Sequence, residues 1–106
     1  MMKRFTAYRR NISQRESHSM LMKNPDDRSQ FEGVIWTDGT VSVRWLTPIR
    51  ATSVWDSLYD LLMIHGHPEY GTVIEWHDDF IPKEWTDIVK AYEDSIRVYD
   101  DLTSDD

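Results

Sequence analysis

Histidine and aspartate residues in the second half of this 106-residue chain are the side chains best suited to chemistry. His65 and His67 flank a glycine, and His77 is followed at once by Asp78 and Asp79. Neutral imidazole and carboxylate groups are suitable ligands for Zn, Mn or Fe. The two groups would converge if both lay at one end of a sheet. One hypothesis is therefore a metal-dependent hydrolase or nuclease that uses all five residues.

The same residues have a simpler structural interpretation, which we favour. A His-x-His pair at a helix end has no fixed ligand geometry, unlike an H-E-x-x-H pair on one helical face. His65 fits the apolar stripe of a predicted helix, or its charge favours the helix C-terminus. His67 fits the turn that follows. We therefore expect no cofactor and no metal, and we keep the metal enzyme as an alternative.

Other catalytic signatures are weak. Asp56 and Asp60 lie four residues apart, but a general acid–base pair needs a cleft and a shifted pKa. We interpret Asp56 as a helix cap and Asp60 as solvent-facing. The sequence has no cysteine, no glycine-rich phosphate loop and no nucleophile elbow. We expect a protein that is not an enzyme.

Charge is divided unevenly along the chain. Residues 1–53 carry a net charge of +4 and residues 54–106 carry −11, which gives −7 in total. A basic N-terminal stretch with interleaved aromatics is one pattern that contacts phosphates and stacks bases. The acidic remainder opposes this, so we expect no nucleic-acid binding and interpret these charges as protection of a strand edge. The basic residues are Lys3, Arg4, Arg9, Arg10 and Arg15.

The last predicted helix is the best candidate for a partner-binding surface. A row of carboxylates on one helical face can imitate nucleic-acid phosphates and occupy a basic groove on another protein. The alternative is an ordinary acidic solvent face. The candidate residues are Glu84, Asp87, Asp94, Asp100 and Asp101.

The histidines and aspartates named first are positioned by the segment from Phe31 to Asp79. This segment is predicted to begin with a β-hairpin. Asp38-Gly39 between two apolar runs predicts a two-residue type I′ turn, in which both residues have positive φ. That turn would pair Trp36 with Val41. One face of the predicted hairpin is then apolar: Val34, Trp36, Val41, Val43 and Trp45.

A helix is predicted from Val54 to His65. Ser53 is a suitable N-cap with Asp56 three residues later, and Gly66 suits a left-handed C′ position. We expect the hairpin, this helix and the next strand to enclose one core, made of Val34, Trp36, Val41, Val43, Leu58, Leu61, Leu62, Ile74 and Trp76.

Three further elements complete the prediction. They are strands at Phe5–Tyr8 and Thr72–Trp76 and an amphipathic helix from Pro82 to Tyr99. Residues 9–30 are expected to form a long loop, and residues 100–106 an acidic tail. The order β-loop-β-β-α-β-α predicts a single α+β domain over residues 1–106, with two helices covering a small, mostly antiparallel sheet.

Several short motifs give the chain a family resemblance. They are Asp38-Gly39-Thr40-Val41 with Arg44-Trp45, then Ser53-Val54-Trp55-Asp56-Ser57, His65-Gly66-His67 and Thr72-Val73-Ile74-Glu75-Trp76 with Asp78. This DGTVxxRW…SVWDS…HGH…TxIxWxD pattern resembles small proteins of actinobacterial phages. The resemblance covers about residues 31–79, and it implies a phage or prophage origin rather than a mechanism.

The leading functional prediction is a small phage-type binding protein that docks on a host protein. It would inhibit a nucleic-acid-handling or defence complex, in the manner of an anti-CRISPR protein. A homo-oligomeric structural or accessory module is a further alternative, so the chain is expected to be a monomer or small homo-oligomer. The longest apolar run, Leu61–Ile64, is too short to span a membrane. We expect location in the cytoplasm of a bacterial host cell.

Overall fold

A five-stranded antiparallel sheet with two helices forms the protein. The computed structural model describes residues 1–10, 28–66 and 71–103. The strands lie in the order β4-β3-β2-β1-β5. The predicted α+β class is confirmed, with one strand more than predicted. The elements are β1 Lys3–Arg9, β2 Ser29–Ile35, β3 Val41–Trp45, β4 Thr52–Trp55, α1 Leu58–His65, β5 Thr72–Trp76 and α2 Lys83–Thr103.

Both helices contribute to the core on one face of the sheet. Phe5 lies at its centre, with its ring 6.3 Å from Phe31 and 5.9 Å from Trp76, in edge-to-face geometry. Ile74 and Trp76 pack against this core, as predicted, but remain partly exposed. The buried apolar residues of the cluster are Phe5, Ala7, Phe31, Ile35, Val41, Val43, Leu58, Leu61, Leu62, Trp85 and Val89.

The predicted hairpin register is wrong by one residue. Ile35 pairs with Val41 and Gly33 with Val43, whereas the prediction paired Trp36 with Val41. A shift of one residue moves every side chain of a strand to the other face. Val34 in β2 therefore points away from the core, and Trp36, just beyond the end of β2, is 45% exposed. Phe31 and Ile35 take the core positions instead.

The turn explains the shift. The Gly39 N–H donates to Trp36 O at 2.8 Å, and the Trp36 N–H donates to Thr40 O at 2.8 Å. Gly39 has φ +93°, and Asp38 is not among the residues with positive φ. This is the three-residue loop with a left-handed glycine, not the type I′ turn. The Asp38 carboxylate accepts the Thr40 N–H at 2.9 Å, which lowers the pKa of Asp38.

The first helix begins four residues later than predicted. Residues 52–55 form β4, which pairs with β3, and Val54 is 65% exposed rather than part of a helical stripe. Ser57 is the N-cap, and its hydroxyl accepts the Asp60 N–H at 3.1 Å. The predicted capping by Ser53 and Asp56 is therefore wrong.

Gly66 ends α1 as predicted, but for another reason. Its φ of −91° lies outside the left-handed region. A Cβ atom here would lie 2.5 Å from Leu62 O and 2.6 Å from Tyr92 Cε1. Glycine is favoured because a Cβ atom would collide with the Leu62 carbonyl of α1 and the Tyr92 ring of α2, not because the backbone needs positive φ.

Some predicted boundaries move, and some predictions fall outside the described residues. Arg9 belongs to β1 and residues 29–30 to β2, so the strands extend into the predicted long loop. The second helix continues to Thr103, past its predicted end at Tyr99. Arg15 and His67 lie outside the described residues. Within the part of the chain that the structure describes, no helix is long and apolar enough to cross a membrane.

Candidate partner-binding site

The outer face of α2 carries regularly spaced carboxylates. Asp87, Asp94 and Asp101 follow one another at intervals of seven residues, which is about 10.5 Å along a helix. They lie opposite the residues that face the core, of which Trp85 and Val89 are buried. Because a helix repeats every 3.6 residues, the spacing of these three aspartates places them on one face of α2. We call these three residues, with the exposed Glu84, the acidic stripe.

Basic side chains interrupt the acidic stripe. Lys83 Nζ lies 2.7 Å from Asp87 Oδ2, and Arg97 Nη2 lies 2.6 Å from Asp94 Oδ1. The hydrogen bond from Lys83 to Asp87 raises the pKa of Lys83. Such exposed pairs contribute little to stability and are easily exchanged for other partners. Across α2, three basic and six acidic residues leave a negative helix.

Asp100 lies apart from the stripe. Its Oδ2 is 3.0 Å from Arg10 Nη2, so it connects the last turns of α2 to the end of β1. Arg10 also donates its backbone N–H to Gly71 O at 2.9 Å. Unlike the pairs of Asp87 with Lys83 and Asp94 with Arg97, which lie within α2, the contact of Asp100 joins α2 to another part of the fold.

The basic N-terminal residues also make contacts within the fold. Lys3 is 8% exposed and its Nζ donates to Asp79 O at 2.6 Å. Arg4 pairs with Asp78, with Nη2 3.0 Å from Oδ1. Arg9 is half-buried. The Lys3 and Arg4 side chains join β1 to the segment after β5.

Asp78 is the most heavily engaged carboxylate of the predicted metal set. Its Oδ2 accepts the Arg4 backbone N–H at 2.7 Å and the Arg4 Nε–H at 3.3 Å. The side-chain and backbone hydrogen bonds from Arg4 lower the pKa of Asp78. Next to it, His77 Nε2 lies 2.5 Å from Thr6 Oγ1. Both residues are thus bound to β1.

The lowered pKa of Asp78 predicts a loss of stability in acid. A carboxyl group whose pKa is lower in the folded than in the unfolded state stabilises the protein above its unfolded pKa, about 3.9. That contribution is lost as the pH falls through the lower folded value. We expect Asp78→Asn to flatten the decrease in unfolding free energy below about pH 4. Urea titrations from neutral to acid pH test this, with Asp79→Asn as control; parallel profiles for Asp78→Asn and the wild type would contradict it.

His65 lies far from this cluster. Its ring makes edge-to-face contacts with Trp45 at 4.8 Å and Trp55 at 5.1 Å, on the β3–β4 side of the sheet. His77 lies on the β1–β5 side. The structure therefore separates His65 from His77 and Asp78 of the predicted metal set. Among residues 1–10, 28–66 and 71–103, no group of three His, Asp or Glu side chains could hold a metal ion.

The face of the sheet opposite the core carries a feature that the sequence reasoning missed. A shallow depression of about 510 Å³ is lined by apolar as well as polar and charged side chains. Arg44 Nη1 donates to Thr52 Oγ1 at 3.0 Å across it, and Glu32 lies directly opposite Arg44 in the register of β2 and β3. Strand alternation could have located this face, but only with the hairpin in its actual register. The lining includes Arg4, Glu32, Ser42, Arg44, Thr52 and His77.

Fold and surface together define a small α+β protein with an acidic outer helix and no metal cluster in its described part. Residues 31–78 of the chain match the model of a family described as Acb5 phage protein. These 48 of 106 residues run from the β2–β3 hairpin through α1 to the end of β5. The similarity supports a small protein of phage type. Comparison with curated proteins and with solved structures gave no match.

Proposed function

We propose that this chain is a non-enzymatic phage protein that docks on a host protein through the acidic stripe of α2. The observation that carries the proposal is the placement of Asp87, Asp94 and Asp101 on the outer face of a helix that the core holds in place. The similarity of residues 31–78 to a phage protein family supports the phage setting.

The chemistry of the stripe selects the kind of partner. Carboxylates spaced along a rigid helix complement a groove lined by lysine and arginine, and such complementarity gives specificity and fast association. Grooves of this kind bind nucleic-acid backbones. The partner is therefore a nucleic-acid-handling or defence complex of the host, and docking blocks its groove as an anti-CRISPR protein would.

α2 lies outside the family match, which ends at residue 78. The match therefore supports the scaffold and its phage setting, whereas the choice of partner rests on the helix that follows it. This division predicts that changes in the acidic stripe alter docking without altering the fold of residues 31–78.

The test compares two triple variants in capture experiments from a bacterial lysate. Asp87→Asn, Asp94→Asn and Asp101→Asn together neutralise the three aspartates of the acidic stripe. Glu32→Gln, Glu75→Gln and Asp79→Asn change the net charge equally, at exposed positions away from α2.

We expect the wild type and the control to retain the same host protein at low salt, and the stripe variant to lose it. Retention should fall at high ionic strength, because salt screens exposed charges. Duplex DNA should compete for the captured protein, since it would occupy the same groove. Equal retention by the two triple variants, or retention that DNA does not reduce, would overturn the proposal.

A further inference from the structure

The two edges of the sheet differ in how their backbone groups are covered. On β5, the outward N–H of Thr72 donates to Tyr92 Oη at 3.2 Å, and the strand carries the charged Glu75. On β4, the sequence Thr-Ser-Val-Trp has no lysine, proline or charge. Natural proteins usually protect an exposed edge with such residues, because it offers a template for another strand.

The register identifies the backbone groups of β4 that point away from β3, and none of the described residues bonds to them. Trp45 N–H donates to Ala51 O at 2.9 Å, so this pair is of the hydrogen-bonded type. Hydrogen-bonded and non-hydrogen-bonded pairs alternate in an antiparallel ladder. Ser53 and Trp55 therefore bond to β3, and the N–H and C=O groups of Thr52 and Val54 point away from the sheet.

We propose that β4 pairs with β4 of a second copy of this chain, about a two-fold axis through Ser53. In this antiparallel register Thr52 of each copy faces Val54 of the other. Both outward-facing residues of each strand then form hydrogen bonds. An axis through Val54 would instead place Val54 of one copy opposite Val54 of the other. It would also place Thr52 opposite Asp56, which lies beyond the end of β4.

Charge complementarity selects the same register. Arg50 precedes β4 and Asp56 follows it, both are exposed, and neither forms an ion pair with another of the described residues. The axis through Ser53 places Arg50 of each copy opposite Asp56 of the other, twice in the dimer. Opposite charges directly across antiparallel strands stabilise the pairing.

The surroundings of β4 also suit a strand from a second copy. A groove of about 550 Å³ follows the outer side of β4 and α1. Val54 and Met63 are each 65% exposed along it, and Tyr59 and Ile64 are each 56% exposed. A second copy seated on the edge covers this apolar surface. Because a two-fold contact uses the same surface on both chains, it closes at a dimer.

Sedimentation equilibrium from micromolar concentration to about 1 mM tests the stoichiometry. We expect a mass of twice 12.6 kDa at the upper end. Arg50→Glu and Asp56→Arg should each weaken dimerisation about tenfold, and the double variant should restore it. A monomer throughout, larger polymers, or no recovery in the double variant would overturn the proposal.

Cross-linking tests the register itself. Across the proposed axis, Ser53 of one copy faces Ser53 of the other as a non-hydrogen-bonded pair. The Cα atoms of such a pair are about 4.5 Å apart, which is within disulfide range. The chain has no cysteine, so Ser53→Cys introduces one thiol per copy. Mild oxidation should give a covalent dimer with Ser53→Cys and none with Val54→Cys. Equal cross-linking of the two variants would contradict the axis through Ser53. Loss of host-protein capture by the stripe variant is a separate outcome, since α2 takes no part in this interface.

Discussion

Replacement of Phe5 by alanine is expected to destabilise the protein strongly, because the substitution empties the centre of the core. Phe5 is fully buried, and its ring contacts Phe31 and Trp76 from neighbouring strands. Removing a buried phenylalanine side chain costs about 3–5 kcal/mol, because a cavity remains where the ring lay. For a domain of this size that lowers the melting temperature by roughly 12 °C or more.

Urea and thermal unfolding followed by circular dichroism measure this effect. Phe80→Ala is a matched control, since the same side chain is removed at a position that is 93% exposed. Surface substitutions of this kind usually change stability by less than about 0.5 kcal/mol. Similar losses in the two variants would show that the Phe5 ring is not the centre of the core.

Gly33→Ala is expected to destabilise the protein, although alanine is ordinarily the better strand residue by about 0.5–1 kcal/mol. A Cβ atom at position 33 would collide with Cζ of Phe5 and lie 2.7 Å from its Cε1. The Phe5 ring thus occupies the space above Gly33 on the neighbouring strand. Overpacking of this kind typically costs about 1–3 kcal/mol.

A double-mutant cycle isolates this contact. Phe5→Leu replaces the ring with a smaller aliphatic side chain. Gly33→Ala should therefore lower the free energy of unfolding less in that background than in the wild type. Neighbouring residues in direct contact usually show coupling energies of about 0.5–3 kcal/mol. Additive losses, or a stabilising effect of Gly33→Ala alone, would contradict the packing of Phe5 over Gly33.

The hairpin shows how far the sequence determines a local structure. Asp38-Gly39 located the turn between β2 and β3 correctly. The type of turn depended on whether one or both residues adopt positive φ, and both types accept these residues. Packing of Phe31 and Ile35 into the core selects the longer loop, because the register shift would otherwise expose them.

The start of α1 shows the same limit. A serine followed three residues later by aspartate occurs twice in succession, at Ser53–Asp56 and Ser57–Asp60. Either pair can cap a helix. The second is used because residues 52–55 pair with β3, a contact that no local pattern encodes.

The same distinction between local pattern and tertiary contact applies to the candidate site. The sequence by itself determined the α+β class, the positions of the last strand and helix, and the acidic outer face of α2, because side-chain alternation and helical periodicity are properties of neighbouring residues. Only the tertiary structure decided that Asp78 binds Arg4, that Asp100 binds Arg10, and that β4 forms an edge. These contacts join residues far apart in the chain, and they depend on strand order and register, which local sequence patterns do not specify.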